Sequence, residues 1–478
     1  MGASVSLASS LALLPVYASQ LSPHEFGVVA TGQVVALAAS TVIRFGIGIG
    51  MFRFLTVYHE RGDAPAAKAV VTTCLIATVV CALIGTTAMA AGVAIAGWRL
   101  AHDIRLVGTL IAANITLSAP RDIAEFALRA KQRPGAFVLL SSSFVVSSTI
   151  LTGGLVSLHG GAPAVFAATL ISNLVTLPIA FYALLPHLSA RALSSTELKL
   201  ALRFGIPSVP ALLADWVTQY SDRLFLTRFS NLTQVGIYSM GYRLGLIEQQ
   251  VLGAASQAAW DPFVLSNYRK PDGSGMIGRS ATFFAIPGMA LVVLISASAP
   301  TVLTIAHARH EYLAATPIVF AIALANFFGM LQYLFLAPTS IRLRPEVGMI
   351  IRGIVAGVNI LLNLVWIPTF GILGAASATL VTFLVGALIT EAVGRRLWRV
   401  NYEYQKLLLI VVGGLIPQAI LQLADWYGIS RPIGADPVFA MGIFCTWLLM
   451  TKLVSKAHLW VIARTIVGPL RRHGRFPA

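Results

Sequence analysis

The sequence predicts an all-α polytopic membrane protein of about fourteen transmembrane helices, with two parallel six-helix lobes around a central cavity plus two C-terminal helices. Three observations lead there: an apolar composition, basic residues that alternate from loop to loop, and an internal repeat. Of 478 residues, 57% are hydrophobic and 11% charged, and mean hydropathy is +0.81. Soluble domains carry about 25% charged residues, so a soluble chain of this size could not cover its surface with so few. Uncharged stretches of roughly 20 residues, enough to cross ~30 Å of hydrocarbon, recur along the whole chain.

Apolar runs define spans at 3–19, 26–52, 69–97, 106–128, 135–157, 161–185, 203–228, 235–265, 280–305, 313–338, 346–368, 371–394, 406–424 and 437–456. The runs at 26–52 and 235–265 are longer than a bilayer needs, so tilt, bending or protrusion is expected there. The first run starts at Ala3 with no basic segment before it and reads as a retained helix rather than a cleaved signal. Met1-Gly2 with Ser6 matches a myristoylation pattern, which in a polytopic chain reads as accidental.

The net charge of +16 comes from 34 basic and 18 acidic residues. The basic residues lie in small groups between apolar spans, which is how topology-setting charges are placed and argues against nucleic acid as a partner. Numbered in order, the even loops and the C-terminal tail hold 24 of the 34: Arg53, Arg61, Lys68; Arg129, Lys131, Arg133; Arg191, Lys199, Arg203; Arg269, Lys270, Arg279; Arg342, Arg344; Arg395, Arg396, Arg399, Lys406; and Lys452, Lys456, Arg464, Arg471, Arg472, Arg475. The odd loops hold Arg99, Arg105, Arg228, Arg309 and Arg431. The positive-inside rule puts the even loops and the tail in the cytoplasm, and an even span count puts the N-terminus there too. Trp98, Trp366, Trp398, Trp426 and Trp460 fall near span ends, at headgroup level.

A repeat of about 210 residues runs through the chain. Phe26-Gly27 corresponds to Val235-Gly236, Arg133-Pro134 to Arg344-Pro345, and Ala168-Thr169-Leu170 to Ala378-Thr379-Leu380. Each repeat holds six spans, an even number, so the second half re-enters with the orientation of the first. The expected organisation is an N-terminal lobe (1–185), a cytoplasmic linker (186–202), a C-terminal lobe (203–396) and two added helices with a basic tail (397–478). Two bundles around a midplane cavity suit alternating access.

Charged side chains in hydrocarbon cost at least ~2.5–3.5 kcal/mol each on insertion scales, so they face a cavity or a partner. Arg44 lies about two turns inside the second span, and Asp215, Thr218, Gln219 and Asp222 share one face of the seventh, followed by Arg223. The eighth carries Arg243, Gln250 and Gln257 at intervals of seven, with Glu248 beside them; the eleventh carries Arg352, Asn359 and Asn363. These stripes predict a wet cavity bordered by spans 2, 7, 8 and 11. Its candidate ligand residues are Arg44, Arg243, Arg223, Arg53, Arg352, Gln250 and Asn359. A guanidinium fork suits a diphosphate because it donates paired hydrogen bonds and stays charged. Asp215, Asp222 and Glu248 are candidate carriers of a coupling proton. Plainer readings stand beside these. Arg53 and Arg352 have stems long enough to snorkel to the surface, Arg121 and Glu125 read as a helix-surface ion pair, and Asp222 with Arg223 reads equally as a structural pair.

No phosphate-binding loop GxxxxGK[ST], HExxH, GxSxG or metal-ligand cluster occurs, so the sequence implies no enzyme, no metal and no cofactor, with proton or sodium coupling as the energy source. Of three cysteines, Cys74 and Cys81 lie about 10.5 Å apart along one predicted helix, too far for a disulfide, and all three, Cys445 included, read as packing residues.

Ser221-Asp222-Arg223 through Arg228, running on to Val235-Gly236-Ile237-Tyr238-Ser239-Met240-Gly241-Tyr242-Arg243, resembles the central signature of bacterial polysaccharide flippases of the multidrug/oligosaccharidyl-lipid/polysaccharide exporter superfamily. Leu21-Ser22-Pro23-His24-Glu25-Phe26-Gly27 resembles their opening between the first two helices, and Ile367-Pro368 through Gly371 to Gly374-Ala375-Ala376 their junction before helix twelve. The resemblance implies fourteen helices in two lobes. It also implies transfer of an undecaprenyl-diphosphate-linked oligosaccharide from the cytoplasmic to the outer leaflet of a bacterial inner membrane, beside a polymerase and export machinery for O-antigen, capsule or exopolysaccharide. The expected state is a monomer among membrane lipids. The matched positions are mostly architectural and transfer no ligand roles. Three alternatives remain: a multidrug and toxin exporter, whose cationic cargo favours a carboxylate-lined cavity; a peptidoglycan lipid-precursor flippase, with the same charge logic; and a membrane polymerase or ligase, which would want a long external loop.

Overall fold

The computed structural model describes residues 2–96, 101–158, 160–189, 192–429, 431–432 and 434–453. Trp98, Arg99, Arg191, Trp460 and the basic residues from Lys456 to Arg475 lie outside them. The described chain is helical throughout: α1 (Gly2–Gln20), α2 (Pro23–Ile43), α3 (Ile47–Glu60), α4 (Ala64–Ala96), α5 (His102–Ala130), α6 (Pro134–Ser157), α7 (Gly161–Leu184), α8 (Ser195–Gly205), α9 (Val209–Phe229), α10 (Leu232–Gly245), α11 (Ala254–Asn267), α12 (Gly273–Ile305), α13 (Thr316–Phe335), α14 (Ala337–Ile341), α15 (Pro345–Leu397), α16 (Tyr404–Trp426) and α17 (Ala435–Met450). Nine stretches among the described residues are long and apolar enough to cross a membrane, with shorter apolar helices at Val5–Gln20 and Ala435–Met450.

One of the nine is two rods. A straight α15 would be about 80 Å long at 1.5 Å per residue. Instead, Gly371 sits at φ 57°, ψ −128°. The Asn359 amide donates to Thr382 Oγ1 at 3.3 Å, which only a reversed chain permits, and Gly374 lies against the Trp366 carbonyl. The arms, here α15a (345–370) and α15b (372–397), are the predicted eleventh and twelfth spans.

The two spans expected to tilt, bend or protrude are each broken into two helices. The run 26–52 divides into α2 and α3 at Phe45 and Gly46, both at positive φ, where Gly46 and Gly205 meet so closely that a Cβ on either would overlap the other's carbonyl. The run 235–265 divides into α10 and α11 through a π-helical turn, Gln249–Gly253. Two further ends move. The run from 203 starts earlier, at α8, an amphipathic helix that packs on α3 and α4, and the last span stops at Met450 rather than 456.

The repeat is visible in the packing. Helix α1 packs on α6 as α9 packs on α15, α5 on α7 as α13 on α15, and α4 on α5 as α12 on α13. Backbone landmarks recur at the same spacing. Gly161 (φ 58°) and Gly371 (φ 57°) open equivalent helices, and Gln132 (φ 52°) and Leu343 (φ 53°) precede the equivalent Arg-Pro pairs. Helices α16 and α17 pack on α12, outside the repeat.

The halves meet where α2 and α10 begin. Ser22 caps α2, its Oγ accepting from the Glu25 amide at 3.2 Å while the Glu25 carboxylate accepts from the Ser22 amide at 2.8 Å, with Pro23 in the first turn. Asn231, 209 residues on, caps α10 by accepting from the Gln234 amide at 2.9 Å. One turn in, a Cβ on Gly27 would overlap the Leu232 carbonyl, and a Cβ on Gly236 would overlap the Pro23 carbonyl. The contact is reciprocal, as a two-fold axis requires. The seal continues at the same end. The Arg309 amide donates to Ala18 O at 3.0 Å, the Tyr312 hydroxyl donates to Leu21 O at 3.2 Å, and the Tyr312 and Phe26 rings meet edge-on at 6.2 Å.

Replacing Gly27 or Gly236 by alanine is expected to destabilise the protein by about 1–3 kcal/mol through overpacking, equally at the two sites, whereas Gly153→Ala, with open space around it, is expected to be silent. Thermal melting in detergent checks this. Gly371→Ala, with nothing within 4 Å of its Cβ, is expected to cost about 1–3 kcal/mol through backbone strain alone, seen as a lower melting temperature.

Candidate functional site

Beyond the glycine contact, α2 and α10 together with α1 and α9 line a cavity of about 420 Å³. Its N-terminal wall is Ser10 with Phe26, Ala30, Gln33, Val34 and Leu37, which step along one face of α2. Its C-terminal wall is Tyr220, Arg223, Ser239, Tyr242, Arg243, Leu246 and Gln250. The cavity is thus bordered by spans 1, 2, 7 and 8. The predicted eleventh span is not part of it.

The two arginines of this wall are held differently. Arg223 is buried and donates to Asp222 Oδ1 at 2.8 Å and to Gln219 O at 3.0 Å, with its guanidinium 4.0 Å from the Tyr242 ring centroid. The other oxygen of Asp222 accepts from the Tyr238 hydroxyl. Asp222 therefore lies behind Arg223 as a structural partner, away from the cavity lining. Arg243 pairs with no acid among the described residues. It sits 4.7 Å over the Tyr17 ring and donates once, to Ser10 O at 3.3 Å, while its buried Nε has no partner. Two more polar atoms of the same wall, Ser239 Oγ and Gln250 Oε1, are buried without a protein partner. Such atoms are uncommon in folded proteins, and here three converge on one wall. No carboxylate lines the cavity.

Arg44 is placed elsewhere. At the end of α2 it forms an ion pair with Asp122 and donates to Ser118 Oγ at 2.7 Å, inside the N-terminal half. Arg121, expected as a helix-surface partner of Glu125, turns inward. It stacks 3.6 Å over the Phe144 ring and donates to Asn173 Oδ1 at 2.8 Å, leaving Glu125 at 3.8 Å.

The remaining expected residues do not join the cavity. Arg53 is exposed and stacks 4.4 Å over the Phe204 ring, the snorkelling alternative rather than the ligand-facing one. Arg352 pairs with Asp215 at 3.3 Å, both partly exposed, so each has its countercharge in the other. Asn359 is 1% exposed and bonds within its own half, accepting from Ser221 at 3.1 Å and from Asn363 at 2.9 Å. Its stripe is a helix-packing seam. Glu248 is fully buried with both carboxyl oxygens unpartnered, directly before the π turn and two residues from Gln250 of the cavity wall. Sequence reasoning missed Gln33, Asn114, Asp122 and Asn173. The only signal was a polar residue in an otherwise apolar run.

The fold matches solved structures along most of the chain. The lipid II flippase MurJ in an inward closed conformation shares 13% identity over 97% of this chain and 98% of its own, with a TM-score of 0.69. An inward-facing multidrug resistance transporter of the MATE family, in the MOP superfamily, shares 16% identity over 82% of this chain and 97% of its own, with a TM-score of 0.67. An outward-facing multidrug resistance transporter of the same family shares 17% identity over 83% of this chain and 92% of its own, with a TM-score of 0.58. At these identities the likeness is one of fold: a multi-pass, two-lobed membrane protein. No curated sequence matches significantly. The profile of the polysaccharide biosynthesis protein family matches residues 4–267, more than half of the chain, and the chain belongs to that family.

Proposed function

We propose that this protein is a flippase that moves an undecaprenyl-diphosphate-linked oligosaccharide from the cytoplasmic to the outer leaflet of a bacterial inner membrane, for surface polysaccharide synthesis. The observation that carries this reading is Arg243, a guanidinium without an acidic partner on a cavity wall that holds no carboxylate. A cationic drug would meet two guanidinium groups in the lining, of which Arg223 is neutralised by Asp222 behind it and Arg243 is paired with no acid among the described residues. A diphosphate would meet forked donors in a site of low dielectric, where charge-assisted hydrogen bonds are strong. Family membership supports the polysaccharide link, and the lipid II flippase and MATE likenesses support a transporter fold.

In this reading the termini and even loops are cytoplasmic, and the seal between Gly27 and Gly236 closes the outer end. The headgroup enters from the cytoplasmic side while the polyprenyl tail stays in lipid, and release outside requires the seal to part as the lobes close on the cytoplasmic side. The protein acts as a monomer, hands its product to polymerase and export proteins, and needs no bound cofactor. Glu248 carries the coupling proton: its carboxyl makes no pair that protonation would break, and it lies at the π turn on the helix that bears Arg243.

In proteoliposomes with undecaprenyl-diphosphate glycan in one leaflet, Arg243→Ala is expected to slow flipping by about ten-fold or more, the loss of a hydrogen bond to a charged group. Arg243→Lys is expected to restore part of the rate, since it keeps the charge and loses the fork. Unchanged flipping in Arg243→Ala, or efflux of a cationic dye with no glycan movement, rejects the assignment, and preference for a lipid-linked muropeptide redirects it to peptidoglycan precursors. Glu248→Gln is expected to abolish the response of the flipping rate to an imposed pH gradient. A response equal to wild type removes Glu248 from coupling.

A further inference from the structure

Within the N-terminal half, between α2, α5, α6 and α7, lies a second cavity of about 370 Å³. Its cations are committed. Arg44 is paired with Asp122, and Arg121 is pinned between the Phe144 ring and Asn173. From Asn173 the chain of bonds continues, its Nδ2 donating to Asn114 Oδ1 at 3.0 Å and the Asn114 amide donating to Phe166 O at 3.0 Å. Asp122 is part of the lining, so an anion entering here would meet a carboxylate. The wall offers side-chain amides, hydroxyls from Ser118 and Thr169, and an aromatic ring, at fixed positions. The donors of Asn114, Ser118 and Thr169 are spent on backbone carbonyls, which fixes these groups in place and leaves their remaining oxygen lone pairs to accept from the hydroxyls of a neutral polyol.

Gln33 and Leu37 line this cavity and the arginine-bearing one between the halves. Gln33 is exposed to that shared space and makes no hydrogen bond with the protein among the described residues. The two cavities therefore adjoin at Gln33, where a group attached to a diphosphate at Arg243 would meet the N-terminal half.

We propose that this N-terminal cavity is the sugar subsite of the transported lipid, and that Gln33 reads the sugar attached to the diphosphate. The inference rests on the flippase reading above and adds a division of labour to it. The C-terminal half holds the charge that every cargo shares, and the N-terminal half holds the glycan that differs between cargoes. Gln33 is a specificity-determining contact at the junction.

The test uses the full chain in nanodiscs with geranylgeranyl diphosphate and the same lipid carrying α-linked N-acetylglucosamine, glucose or galactose. Wild type is expected to bind at least one glycosylated probe more tightly than the bare diphosphate. Gln33→Ala and the similarly sized Gln33→Leu are expected to erase that advantage, weakening the glycosylated probe by about three- to ten-fold, one lost hydrogen bond, with the bare diphosphate unchanged. Arg243→Ala is expected to weaken all probes alike. Equal weakening of bare and glycosylated probes by both Gln33 variants, a retained advantage, or no advantage in wild type overturns the sugar subsite. Probes that bind Arg243→Ala as tightly as wild type overturn the underlying diphosphate reading instead.

Discussion

The reciprocal contact between Gly27 and Gly236 is the constraint on which the rest of the molecule depends. Helices gain little from burying apolar surface against each other in lipid, so they associate where small residues allow backbones to approach. Here each glycine admits the other half's carbonyl, Leu232 on one side and Pro23 on the other. The caps at Ser22 and Asn231 start both helices at matching points, so the crossing falls one turn inside each. With the two backbones fixed together near their starts, the turns that follow line a space beside the contact. That space carries Gln33 from one half and Arg243 and Gln250 from the other.

The charges of the membrane interior are sorted by partner. Asp222 and Arg223 lock one helix against Tyr238 and Tyr242, and Arg44 with Asp122 and Arg121 with Asn173 fix a polar core in the N-terminal half. Arg352 and Asp215 pair with each other, both partly exposed. A charge buried in low dielectric needs compensation. Arg243 has an aromatic face and one carbonyl, which leaves donors for something the protein itself does not supply.

Much of the architecture was legible because bilayer crossing constrains composition so tightly. The helix reversal near residue 370 and the repeat spacing both appear in the chain as written, and the glycines at 161 and 371 recur at equivalent turns with positive φ. The excess length of the spans 26–52 and 235–265 pointed to tilt, bending or protrusion but not to where they break, since an apolar run looks continuous whether or not it bends. Phe45 and Gly46 leave the helix where the chain presses on Gly205, the last residue of α8. The site was only half legible. Helical spacing identifies which polar residues share a face but not what that face meets. The Asn359 stripe was therefore indistinguishable from a cavity wall until it was seen bonding Ser221 and Thr382. Gln33, Asn114 and Asn173 form no charged stripe at helical spacing, so nothing in the sequence singled them out.

By itself the sequence determined that the chain spans a membrane about fourteen times, in two halves of one plan, since apolar run length, loop charge and repeat spacing are properties of the chain in order. Only the tertiary structure decided which guanidinium stays without an acid. That depends on which carboxylates the folded helices bring within reach, and such contacts join residues far apart in sequence: Arg44 to Asp122, Arg352 to Asp215, and Arg243 to Ser10 and Tyr17.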